Sequence, residues 1–112
     1  MSLYGEYIRE IKCDEIVETD KGFATYRYID DAGVPSVYII DIYIRPDFRK
    51  SHYASEMANE IVWIAKSHGC KRVIGTCVPS SKGSTLSLKV LLGYGMSLYS
   101  ASNDVIVLRK DI

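Results

Sequence analysis

From Val37 to Ile44 the chain reads VYIIDIYI, nearly all β-branched or aromatic with a single charge at Asp41, the composition of a strand buried on both faces. Pro46 ends that run and Arg49 to Tyr53 follow as a short basic loop. The period then changes: Tyr53, Met57, Ile61, Ile64, Ala65 and His68 recur at helical spacing. Strand, basic loop and helix start therefore fall within a few residues of one another. The first N–H groups of a helix lack partners within it and carry the positive end of its dipole, so this junction suits a phosphate or another anion.

The flanking patterns fill in the remaining elements. Tyr4, Tyr7, Ile8 and Ile11 repeat at i, i+3, i+4 and i+7 with Glu6, Arg9, Glu10 and Lys12 between them, which predicts a short amphipathic helix. Glu15 to Thr19 and Phe23 to Ile29 read as strands about the turn Asp20-Lys21-Gly22, and Asp30 to Pro35 turn the chain into Val37. The first half is thus an antiparallel meander. After the central helix Gly69 supplies the stop. Lys71 to Val78 form a strand that should run parallel to Val37–Ile44 through a right-handed crossover. Ser84 caps a helix over Thr85 to Leu92, closed by Gly93 and Gly95, and Ser97 to Ser100 with Asp104 to Lys110 make a terminal hairpin about Ala101-Ser102-Asn103. The whole of 1–112 reads as one α/β domain with a mixed sheet.

Composition narrows the class. With 112 residues and 47% hydrophobic content the chain can bury one core. No run reaches the ~20 apolar residues of a membrane helix, and MSLYGEYIRE lacks the apolar centre of a signal peptide, so a cytoplasmic protein without membrane attachment is expected. Cys13, Cys70 and Cys77 have no C-x-x-C spacing and read as reduced core or near-core thiols rather than disulfides or a metal site. Met1 to Phe48 carries five Lys/Arg against ten Asp/Glu, Arg49 to Ile112 nine against four. The halves face different partners or each other. A pI near 6.7 without a basic stripe argues against nucleic acid.

The run I-Y-I-R-P-D-F-R-K-S-H-Y-A, Ile42 to Ala54, resembles the acetyl-coenzyme A signature of the GNAT acetyltransferase superfamily, a hydrophobic strand followed by Pro-acidic-aromatic-Arg and then x-x-Gly-x-Gly/Ala. S-L-K-V-L-L-G-Y-G-M, Ser87 to Met96, is similar to that family's later helix and its Gly-Phe ending. The order of elements agrees over Glu15 to Lys110, with room for one of the two amino-terminal helices the family generally has. The resemblance implies acetyl-CoA as co-substrate and transfer of its acetyl group to a primary amine by direct attack in a ternary complex. It puts the pyrophosphate on the N–H groups from Ser51 through His52, Tyr53 and Ala54 to Ser55. The pantetheine arm would lie along Ile42, Tyr43 and Ile44, where the central strand diverges from its parallel neighbour, with Arg49 and Lys50 near the 3′-phosphate and adenine. Ser84 stands where the family often has a cofactor-contacting Asn.

Two departures bear on that picture. His52 replaces the first loop glycine and Lys50 another, which leaves the backbone less room to approach a phosphate. His52 is either a ligand through its imidazole or a spectator. Transfer also requires the amine to lose a proton and the thiolate to gain one. The acid Tyr of the family falls at Leu91; Tyr94 is the candidate substitute, with a core aromatic as the alternative. For the base the candidate is Asp41, on the strand face of Tyr43 and opposite Ile42 and Ile44, where desolvation would raise its pKa. A structural ion pair is its competing role. A covalent intermediate at Cys77 is not expected, since nothing in the sequence activates that thiol.

The altered glycine loop, Leu91 and the small size leave a second function open: a non-catalytic GNAT-fold protein that binds a protein partner. Small amines, antibiotics, protein N-termini and lysines all remain as acceptors. The acidic first half together with Asp41 favours a cationic one. A second copy of the chain also stays open as a partner.

Overall fold

The computed structural model describes residues 2–49, 52–81 and 84–112, and for 84–87 the backbone alone. Lys50 and Ser51 lie outside the described residues. Helix α1 (Leu3–Tyr7) starts where Ser2 Oγ accepts the Gly5 N–H at 2.9 Å and continues as a π-helical turn over Ile8–Lys12. Then come β1 (Glu15–Glu18), β2 (Gly22–Asp31), β3 (Val34–Ile44), a 3-10 turn over Pro46–Phe48, α2 (Tyr53–Ser67), β4 (Arg72–Cys77), α3 (Ser84–Gly93), β5 (Ser97–Ser102) and β6 (Val105–Asp111). The strands form one mixed sheet in the order β1-β2-β3-β4-β6-β5. Only β3 and β4 are parallel, joined through α2. This is the meander, strand-helix-strand-helix and hairpin order the sequence predicts.

One face of the sheet carries the main core. Met57, Ala58, Ile61 and Ala65 of α2 pack there with Val37, Ile39, Val73 and Leu108. The opposite face of β2 and β3 presents Thr25, Arg27, Tyr38 and Ile40 toward α1 and its π-helical turn. Two turns are tighter than the sequence suggests. Ala32 and Gly33 sit at φ +53 and +87 and join β2 to β3 directly, so β3 begins at Val34 rather than Val37. Asn103 and Asp104, at φ +49 and +62, likewise turn β5 into β6.

Between β2 and β3 the register slips by one: Tyr26 pairs with Ile39 but Thr25 with Asp41, leaving Ile40 as the extra residue of a β-bulge. Strict alternation from Val37 and Ile39 would put Asp41 on the core face. The bulge turns it to the other side and brings Ile42 and Ile44 into contact with the core instead. Burial on both faces therefore holds from Ser36 to Ile39 only; beyond the bulge Asp41 and Tyr43 are exposed. Cys70 and Cys77 are buried, but Cys13 is exposed, against the expectation of a near-core thiol, because it ends the π-helical turn in left-handed geometry at φ +58.

Candidate active site

Parallel pairing of β3 with β4 runs from Ser36–Arg72 to Ile39–Gly75 and stops there. β4 continues along β6 as far as Cys77, and β3 along β2 as far as Ile44. From Ile40 onward the two strands splay, and among the described residues one backbone edge of β3 has no strand beside it. The wedge holds a cavity of about 300 Å³ between Ile40, Asp41 and Ile42 of β3, Thr76 and Cys77 of β4, and Leu91 of α3. Gly75 lets α3 close over it: a Cβ there would lie 2.9 Å from Leu91 Cδ2.

A second cavity, of about 340 Å³, lies between α1 and the sheet, with Tyr4, Tyr7, Tyr38, Arg27 and Lys12 among its walls. Ile40 and Asp41 line this cavity as well as the wedge. The bulge is thus the point where the two spaces meet. Burial of its surroundings pushes the Asp41 carboxyl above the ordinary carboxylate pKa, and among the described residues it has no ion-pair partner. Asp14, by contrast, is held by Arg27 through Nε at 2.6 Å and Nη2 at 3.2 Å. The second cavity counts Lys12 and Arg27 against Asp14 and Asp41, so it is charge-balanced rather than the negative surface expected. Within it Asp14 is paired with Arg27, while neither Asp41 nor Lys12 has an ion-pair partner among the described residues.

Aromatic rings tie α1 to the end of β3. Tyr7 and Tyr4 are 6.5 Å apart between ring centroids, Tyr4 and Phe23 4.9 Å, Phe23 and Tyr43 5.6 Å. The Arg49 guanidinium closes the row 5.5 Å from the Tyr43 ring, and its Nε donates to the Ile44 carbonyl at 2.8 Å. Arg49 is therefore fixed to the exposed end of β3, beside the start of α2. Tyr53 packs edge-on against Phe48 at 5.8 Å, with Lys21 Nζ 5.2 Å from the Tyr53 ring. His52 precedes α2 at φ −86, a conformation open to any residue, is exposed, and makes no side-chain capping bond. The first-turn N–H groups of Tyr53, Ala54 and Ser55 lie ahead of the first internal bond, Glu56 N–H to the His52 carbonyl at 2.9 Å.

Of the sequence-predicted residues, Asp41 and Ile42 line the wedge, Arg49 is bonded to the Ile44 carbonyl and lies over the Tyr43 ring, and Tyr53 opens α2. Ser84 opens α3, but its side chain, like Lys50 and Ser51, lies outside the described residues. Tyr94 does not join them. It lines neither cavity, packs partly buried against the core just past α3, and has Lys110 Nζ 4.5 Å over its ring and bonded to its carbonyl at 3.1 Å. Burial pushes its hydroxyl pKa up. Its position matches the core-aromatic alternative rather than the acid. The sequence reading also missed Tyr38, whose hydroxyl meets Thr76 Oγ1 at 2.9 Å across the apex of the splay. No local motif marks that pair, because only the β3–β4 register brings residues of two strands together.

Among the described residues no His/Cys/Asp/Glu group could hold a metal ion, and no helix is long and apolar enough to cross a membrane. A family model described as the acetyltransferase (GNAT) family matches residues 16–87. No curated protein matches the chain by sequence. Among solved structures, the PaiA N-acetyltransferase from Thermoplasma acidophilum in complex with coenzyme A is 14% identical, with a TM-score of 0.75 over 98% of this chain and 69% of that one. An acetyltransferase from Bacillus subtilis in complex with CoA is 14% identical, with a TM-score of 0.70 over 96% and 80%. The IAA acetyltransferase from Bacillus cereus is 12% identical, with a TM-score of 0.72 over 99% and 85%.

Proposed function

The chain belongs to the GNAT acetyltransferase family, and from that premise we propose that it is an acetyl-CoA-dependent N-acetyltransferase in which a primary amine attacks the thioester directly. The observation that carries this reading is the meeting of two cavities at Ile40 and Asp41, one against a free strand edge and one beneath α1. A pantetheine arm carries amide groups and can add to that edge as a strand adds to a sheet, along Ile42, Tyr43 and Ile44. Its length leads outward to the first turn of α2. There His52 leads into the N–H groups of Tyr53, Ala54 and Ser55, which together with the helix dipole suit a pyrophosphate; Lys50 and Ser51, next to them in sequence, are kept as candidate contacts. Arg49 adds a positive charge at the same end, and Ser84, which opens α3, is kept as a further candidate cofactor contact.

The amine acceptor takes the cavity under α1. At about 340 Å³ it is near the lower limit of small-molecule sites, which favours a small amine over the lysine of a folded protein. Asp41 receives the ammonium proton and frees the nitrogen lone pair for attack on the thioester carbon. Its raised pKa brings its basicity nearer to that task than an ordinary carboxylate's.

Saturating acetyl-CoA should raise the melting temperature, because a ligand at 100 times its Kd stabilises the folded state by ~2.7 kcal/mol. Thermal shift and calorimetry test this. No shift and no heat would favour the non-catalytic binding protein instead. Arg49→Ala should weaken acetyl-CoA binding about tenfold, as expected for one charge-assisted hydrogen bond, and affect stability less, through the lost hydrogen bond to the Ile44 carbonyl. Equal affinity of variant and wild type by calorimetry would remove Arg49 from the site.

A further inference from the structure

The two cavities meet at Ile40 and Asp41, and on the reading above the amine enters from one of them while the thiolate is left in the other. We propose that the hydroxyls of Tyr38 and Thr76 are the relay between them. Tyr38 lines the cavity beneath α1 and Thr76 lines the wedge. Their oxygens are 2.9 Å apart and partly buried, and either can donate to the other. The pair sits where the strands part: Ile39 and Gly75, the last residues in parallel register, are the chain neighbours of Tyr38 and Thr76. A hydroxyl both donates and accepts, which is what a relay requires of each member.

The step balances without any further reactant. After Asp41 has taken the ammonium proton, the amine nitrogen bonds to the thioester carbon and the C–S bond breaks. The second nitrogen proton passes to Tyr38 Oη as the Tyr38 proton moves to Thr76 Oγ1 and the Thr76 proton to the departing sulfur. Amide and thiol leave, Asp41 gives up its proton to solvent, and both hydroxyls end as they began. The inference depends on the acetyltransferase reading, and it supplies the acid that neither Leu91 nor Tyr94 provides.

The test uses the whole chain, acetyl-CoA as donor and phenethylamine, spermidine and a peptide with a free N-terminus as probe amines, with thiol release as the signal. Thr76→Val keeps the side-chain shape without the hydroxyl, Thr76→Ser restores the hydroxyl, and Tyr38→Phe removes the other member. Thr76→Val and Tyr38→Phe should each lower kcat by about 100-fold, the low end for a positioned proton-transfer group, with KM for acetyl-CoA little changed. The double variant should be no slower than either single one, as for residues acting as a unit. Thr76→Ser should recover most of the rate. A clamp that merely holds the strands together would raise KM for acetyl-CoA and lower the melting temperature at constant kcat, and that result overturns the relay. Should Tyr38→Phe fail to fold, full activity in Thr76→Val overturns it equally. A wild type that neither binds acetyl-CoA nor releases thiol with any probe amine overturns the acetyltransferase reading itself, and the relay with it.

Discussion

Asp41→Asn should lower kcat/KM for the acceptor by about 100-fold or more, within the range a positioned general base contributes, and leave acetyl-CoA affinity almost unchanged. The substitution keeps the shape and removes both charge and basicity. Its effect is confined to the acceptor step because Asp41 has no ion-pair partner among the described residues, so no cation is left stranded. Stability should move the other way. The folded-state pKa is raised by desolvation, so the folding contribution of this carboxyl is fully present below its unfolded-state pKa and is lost as pH rises through the folded-state value. The variant should therefore melt with the wild type in strong acid and above it at neutral pH. Steady-state kinetics with one probe amine, beside melting curves across pH, check both halves. Normal turnover makes Asp41 a bystander, and a lower melting temperature at neutral pH makes it a structural group.

The legibility of Asp41 itself was uneven. Its chemistry stood out because it is the single charge in VYIIDIYI, and the order of strands and helices followed from hydrophobic period and from Gly and Asp turn signals. Its sharing a face with Tyr43, opposite Ile42 and Ile44, followed from alternation, but the break with Val37 and Ile39 did not. Whether a charge in such a run faces the core or a cavity depends on the bulge at Ile40, and a bulge is a property of pairing between β2 and β3 rather than of either segment. The same limit hid Tyr38–Thr76. Tyr94 misled for a related reason: a tyrosine three residues beyond Leu91 looks available as an acid. The chain has left α3 by then, and the turn carries Tyr94 against Lys110 of β6, away from both cavities. His52 is the reverse case. Seen as a replaced glycine it suggests a damaged phosphate loop, yet φ −86 needs no glycine.

Gly22→Ala should be strongly destabilising, more so than Gly33→Ala. Gly22 opens β2 opposite Ile44, and a Cβ there would lie 2.0 Å from the Tyr43 carbonyl oxygen, 2.9 Å from Ile44 Cα and 3.0 Å from the Tyr43 carbonyl carbon. All three are backbone atoms, so no rotamer change relieves the clash and one strand must move. Neither is free to do so. The Arg45 N–H is bonded to the Lys21 carbonyl at 2.7 Å, the Thr19 N–H to the Gly22 carbonyl at 2.8 Å, and the Phe23 and Tyr43 rings stack at 5.6 Å. The expected cost is ~3 kcal/mol, the upper end for forced overpacking, which lowers the melting temperature by roughly 10 °C or more in a domain of this size. Because the displaced atoms belong to Tyr43 and Ile44, acetyl-CoA affinity should fall in the fraction that still folds. Gly33→Ala is the matched comparison. Gly33 has φ +87 but no atom within 4 Å of its added Cβ, so only the left-handed conformation opposes it, at roughly 1 kcal/mol. Urea denaturation and calorimetric titration of both variants separate the two effects. A Gly22→Ala variant as stable as Gly33→Ala would mean that β2 and the end of β3 do not approach this closely, and the strand edge assigned to pantetheine would have to be redrawn.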